Sequence, residues 1–351
     1  MRGGPLSGTV SLMKSASLLV TVWLSVCGTA AAQEPAPAEA PDEIVVTGRQ
    51  PGPPLWRVAD GDHVLWIFPQ LSPVPKDMVW QSDRVAAVIA QAQEALGLPN
   101  FGADVSPRLY LNPVNLIRGM RLAKRLSRDT AGRTLEEVLP RDVYLRFEAL
   151  AAKYFPQDAD ELEELRPAFA AGRMVGKVES KEGLVGDEGI TKTIDRMIRR
   201  NRGIARTEIE VKVDLEGGFG TLAKRAEELT ASLDPALEQQ CFESQLRRME
   251  NDIDAMRRRA NAWARGYVDE FRSVPLPGGD DDSCLALIVA SSERNTIVES
   301  RAKLERLWLE NAERALRANR TTFAILPIAE LLRSEGPIAK LRAQGYEVRE
   351  P

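Results

Sequence analysis

Few side chains in this chain have the chemistry of a catalyst. Its 351 residues include one histidine, His63, and three cysteines, Cys27, Cys241 and Cys284. A Ser–His–Asp triad would have to use His63, which stands in the turn "GDH", where a histidine is ordinarily solvated. No Gly-x-Ser-x-Gly occurs. "GGFG" at 217–220 lacks the lysine and the strand–helix setting of a phosphate loop. Asp252 with Asp254, and Glu163 with Glu164, sit in densely charged helical stretches and read as solvated faces. The basic run Arg199, Arg200 and Arg202 reads the same way. With 47 basic and 51 acidic residues, net charge −4, the chain lacks the basic excess of a nucleic-acid binder.

The segment "WIFPQLSPVPKDMVW" (66–80) stands out for a different reason. An apolar strand runs into Pro69 and then into a proline-studded loop. A strand that stops this abruptly often carries a functional loop, yet this one has no His, Cys or Gly.

The elements around it follow from periodicity. "LWRVAD-GDH-VLWIF" reads as a hairpin around a Gly-Asp turn. Residues 81–96 have helical spacing with Ser82 or Asp83 as cap, and "PRLYLN" (107–112) reads as a strand. Helical patterns with short breaks fill 113–178. A basic helix (187–205) leads into the strand "TEIEVKVDL" (207–215). Residues 217–271 read as helical throughout, and "PLPGGDDDS" (275–283) as a loop. A long helix over about 294–319 puts Leu304, Leu307, Trp308 and Ala312 on one face. "TTFAILPI" (321–328) is a buried strand, followed by a helix, a break, a helix and the closing strand "YEVRE". Strands at both ends with helices between imply an α/β (α+β) fold, a central mixed sheet with a large helical insertion.

The amino-terminal 32 residues read as a signal peptide. "SASLLVTVWLSV" has the length of a leader core rather than of a membrane span, and "GTAAAQ" places cleavage after Ala32. Translation starts at Met1 or at Met13, whose "MKSASLL" is the better charged beginning. Cys27 resembles a lipoprotein site, but Val26 suits it poorly, so ordinary cleavage is expected. Removing residues 1–32, with Arg2 and Lys14, takes the net charge from −4 to −6. Residues 33–54 form a Pro/Ala-rich linker expected to be disordered. In an exported chain the remaining Cys241 and Cys284 are expected to form a disulfide.

The stretches "PLWRVADGDHVLWIF", "SPVPKDMVWQSDRVAAVIAQAQEAL", "ANAWARGYVDEF" and "TTFAILPIAELLRSEGPIAKLRAQGYEVREP" together resemble the TraB/GumN family. That family includes the TIKI proteases and is related to the erythromycin-esterase/ChaN-like fold. The resemblance covers 55–351 and is strongest at its two ends. It implies two Gly-x-x-His motifs serving a metal-dependent hydrolytic site. Here the first falls on Pro69, Gln70, Leu71 and Ser72, and the second on Pro327, Ile328, Ala329 and Glu330. Both glycines are proline, and both histidines are gone. The family's carboxylate after the first helix matches Asn112. Its Arg-Asn pair matches Arg306-Leu307, the actual Arg294-Asn295 lying about ten residues too early.

Loss of both histidines removes the usual neutral nitrogen ligands for a transition metal, so no metal is expected. The alternative is an all-oxygen site of Ser72, Gln70 and Glu330 for Mg²⁺ or Ca²⁺. Proline also deletes a backbone N–H that could hold an oxyanion. The expectation is a non-catalytic envelope protein, periplasmic or secreted, that binds a peptide, a glycan or a protein partner in the former cleft. The alternative is a hydrolase rebuilt around Ser72, Glu330 and Arg306. A third reading gives Asp42–Arg49, which resembles a TonB box, a contact with the TonB system. Pairing of two copies is a further expectation from the resemblance.

Overall fold

The computed structural model describes residues 52–104, 111–186, 188–214, 218–274 and 283–351. They belong to the second of two units, Met1–Gly48 and Arg49–Pro351. The leader with Cys27 and Ala32, the linker to residue 51 with Asp42–Arg49, residues 107–110 and the loop 275–282 lie outside the described residues.

The hairpin is present as β1 (Trp56–Asp60) and β2 (His63–Gln70), joined by Gly61 and Asp62. Gly61 takes φ +59°, a left-handed value that a two-residue turn needs and glycine supplies. Further along come β3 (Val74–Pro75), β4 (Glu94–Leu96), β5 (Asn100–Asp104), β6 (Leu184–Val185), β7 (Ala205–Thr207), β8 (Glu210–Asp214), β9 (Thr321–Pro327) and β10 (Glu347–Arg349). Six of them form one mixed sheet in the order β10-β1-β2-β9-β4-β7. Strands β2, β9, β4 and β7 run parallel, while β1 is antiparallel to both its neighbours. The register of β2 on β9 runs from Val64 opposite Thr321 to Gln70 opposite Pro327. Parallel strands covered on both faces read as nearly continuous apolar runs. That is why "TTFAILP" buries five consecutive residues, Thr322 to Leu326.

Three expectations are corrected. The helix expected over 81–96 is Asp83–Gln91, and Glu94–Leu96 is strand β4. All three β4 residues are buried between β9 and β7, so the sheet takes them from the helix. The strand expected over 207–215 is two, β7 on β4 and β8 on β5. Residues 217–271 are four helices: Phe219–Ala231, Pro235–Asn251, Ile253–Arg265 and Val268–Ser273. Asp234 caps Pro235–Asn251 by accepting from Ala236 and Leu237 N–H, with Pro235 at the first helical position. Gly266, at φ +74°, ends Ile253–Arg265 in the left-handed conformation common there.

Two apolar cores result. One lies on the sheet under the helices Asp83–Gln91, Glu188–Arg200, Ile253–Arg265 and Arg294–Ala318. The other belongs to the helical insertion, where Phe147, Met174 and Phe242 are fully buried. Cys241 and Cys284 are joined as a disulfide that ties Pro235–Asn251 to the helix Ser283–Ala290.

Candidate functional site

Ligands of open parallel sheets bind beyond the carboxyl ends of the strands. Here that edge is formed by the ends of β2, β9 and β4. Register places Pro69 beside Leu326 and Gln70 beside Pro327, so the two family-motif positions lie on neighbouring strand ends. The structure therefore brings the two matched segments together.

The end of β2 is held from below. Phe68 meets Trp263 edge-on at 5.7 Å and Trp80 at 6.0 Å. Trp263 Nε1 donates to the Pro69 carbonyl at 2.8 Å, inside the core. This explains "AWARG": Trp263, from the helix Ile253–Arg265, satisfies a strand carbonyl next to a residue that has no N–H of its own.

Beyond β9 lies a cavity of about 420 Å³. Leu326, Pro327 and Glu330 line one side. Arg301, Glu305 and Trp308 line the other, from the long helix Arg294–Ala318. Their i, i+4, i+7 spacing puts these three on one stripe of that helix. Phe101 and Pro99, after β4, complete the wall.

The charges in this cleft are paired. Glu330 lies 3.0 Å from Arg333 Nη1 and 3.8 Å from Arg301 Nη2. Glu305 is bonded by Arg333 and Lys340. Burial pushes the Glu305 carboxyl up, but its bonds from Lys340 and Arg333 outweigh that and hold it below the usual range. Trp308 Nε1 is buried and meets no hydrogen-bond acceptor. A buried N–H without an acceptor is uncommon in a folded protein and calls for explanation.

The other residues singled out from the sequence scatter. Gln70 is half-buried at the end of β2 and Ser72 is exposed just past it. Arg306 is exposed and lines a different cavity, with Lys212 and Lys303. Arg294 and Asn295 begin the long helix. Asn112 does not end a strand; its side chain accepts from Val114 N–H at 2.9 Å and caps the helix Pro113–Leu126. His63 opens β2 at the opposite end of the sheet, where its Nδ1 donates to the Leu316 carbonyl at 2.6 Å. Among the described residues no three His, Cys, Asp or Glu side chains converge as a metal site would require.

Sequence reasoning missed Arg301, Glu305 and Arg333, while the stripe with Trp308 and Ala312 is buried in the core as expected.

A model of the TraB/PrgY/gumN family matches residues 54–350. The chain belongs to that family. No curated protein and no solved structure matches it.

Proposed function

We propose that this chain is an exported family member that binds a peptide in its strand-end cleft and does not cleave it there. The observation that carries this reading is the setting of Glu330, at the second motif position. Guanidinium groups of Arg301 and Arg333 already face its carboxylate. Two cations at one carboxylate repel a third, so the residue is ill suited to hold a divalent ion. The donor set Ser72, Gln70 and Glu330 does not fit the metal that the family resemblance implies.

The groups needed for cleavage are also apart. His63 stands seven residues before Gln70 on β2, roughly 23 Å away at about 3.3 Å per residue. It cannot serve Ser72 as a base. Pro69 and Pro327 have no N–H to stabilise an oxyanion.

The cleft does offer means of recognition. Arg301, exposed at the rim, is a partner for a carboxylate. Phe101, Leu326 and Pro327 are apolar walls for side chains. Of the peptide, glycan and protein partners expected, an extended peptide uses both. Export rests on the leader pattern, and the Cys241–Cys284 bridge suits an oxidising compartment. No helix among the described residues is long and apolar enough to cross a membrane.

The second reading, a hydrolase rebuilt around Ser72 and Glu330, draws on their place at adjacent strand ends. Calorimetric titration with short peptides, paired with mass spectrometry of the mixture, separates the two. The binding reading expects intact peptide and affinity lowered about tenfold in Arg301→Gln, the loss of one hydrogen bond to a charged partner. Cleavage that disappears in Ser72→Ala would overturn it.

A further inference from the structure

We infer that the helix Pro113–Leu126 docks on an anionic lipid surface. The helix lies away from the cleft's lining and presents an apolar face that stays exposed among the described residues. Leu116, Ile117 and Met120 are 58, 50 and 66% exposed. None of the residues of this helix is buried. Asn115, Gly119, Leu122 and Leu126 are its half-covered positions, on the side that leans on the helix Phe219–Ala231. At about 100° per residue, Leu116, Met120 and Ile117 fall within one arc of roughly 100° beside that covered side, with Leu116 and Met120 flanking the open groove between the two helices.

A basic arc adjoins that apolar one. The helix carries Arg118, Arg121, Lys124 and Arg125 and no acidic residue. Among the described residues Arg125 pairs with Glu227, while Lys124 acts on the Glu161 carboxylate from farther away. Four cations on one helix contrast with a chain whose net charge is −4. Apolar and basic arcs side by side match a bilayer surface, with Leu, Ile and Met among the upper acyl carbons and Arg and Lys at the phosphates. Long basic side chains reach the headgroups from a helix lying in that plane. A second copy of this chain fits less well, because a two-fold pairing would set these cations against themselves.

The test uses the unit Arg49–Pro351, which contains both apolar cores, so that the apolar leader segment contributes nothing. Co-sedimentation is measured with vesicles of phosphatidylethanolamine containing phosphatidylglycerol, and with neutral phosphatidylcholine vesicles. Binding is expected to the anionic vesicles and to fall with added salt. The triple variant Arg118→Gln/Arg121→Gln/Lys124→Gln is expected to bind on the order of 100-fold more weakly, at about a fivefold loss per cation. Ile117→Glu/Met120→Glu is expected to abolish binding. These sites are exposed, so circular dichroism and Tm should be unchanged in both variants. Absence of binding by the unaltered protein would overturn the inference, as would equal binding by both variants. A lipid-independent dimer that Ile117→Glu/Met120→Glu dissolves would assign the face to a second copy instead.

Discussion

Glu94 is buried at the start of β4, with a side chain only 7% exposed. It accepts from Thr207 Oγ1 at 2.5 Å, Asn319 Nδ2 at 2.9 Å and Arg314 Nη1 at 3.1 Å. These bonds fasten the end of the long helix to two strands. Burial pushes the carboxyl up, but the donors of Arg314, Thr207 and Asn319 together hold it below its ordinary 4.5. A carboxyl depressed in the fold stabilises it fully above the unfolded value, and that contribution is lost as pH falls through the folded one. Glu94→Gln is expected to lower stability by about 2 kcal/mol at pH 7, less than a fully buried pair because Arg314 is half-exposed. The difference from the unaltered protein should shrink below about pH 4, as read by urea denaturation. The partners of Glu94 come from positions 207, 314 and 319. No local spacing links them, so the sequence marked Glu94 only as one residue of an expected helix. The family resemblance brings the segments of Gln70 and Pro327 to one sheet edge because both match strand ends. Arg301 and Glu305 were not legible, because helical spacing defines a stripe without saying whether it meets solvent or cleft.

Among the elements, the hairpin, the long helix and β9 were legible because each has enough residues to display a period. Strand β4 has three residues and directly follows a helix, too few to alternate. β5 and β8 pair only with each other, which no local pattern announces. The helix Ile253–Arg265 matters to the site through Trp263. Trp263→Phe keeps most of the apolar contact with Phe68 and Trp80 but strands the Pro69 carbonyl in the core. A loss of about 1–3 kcal/mol is expected, the range for an unsatisfied buried polar group. Thermal or urea unfolding of the variant measures it. The Cys241–Cys284 bridge spans 43 residues of sequence. Closing a loop of that length is worth about 4 kcal/mol in the chain-entropy model. Reduction by a thiol should lower the urea midpoint accordingly, and Cys241→Ser/Cys284→Ser should be insensitive to the reductant.

At the scale of the molecule, the sheet and the helical insertion hold separate cores, and the sheet presents its parallel strand ends to one cleft. Composition and element order were sufficient to expect a mixed sheet with a helical insertion, because strands cluster at both ends of the chain. They could not give the strand order, which depends on the non-local pairing of β2 with β9. That pairing gathers Pro69, Gln70, Pro327 and Glu330 at one edge. We propose that this edge holds no metal and recognises a ligand through the charges and apolar walls of the cleft. The most direct test is a thermal-shift titration of the unaltered protein and of Glu330→Ala with Mn²⁺, Co²⁺, Zn²⁺, Mg²⁺ and Ca²⁺. A cation that binds only the folded state raises Tm in proportion to RT ln(1 + [L]/Kd). No rise in Tm with any of these ions is the predicted result. A clear rise at modest concentration that vanishes in Glu330→Ala would contradict it and restore the cleft as a metal site.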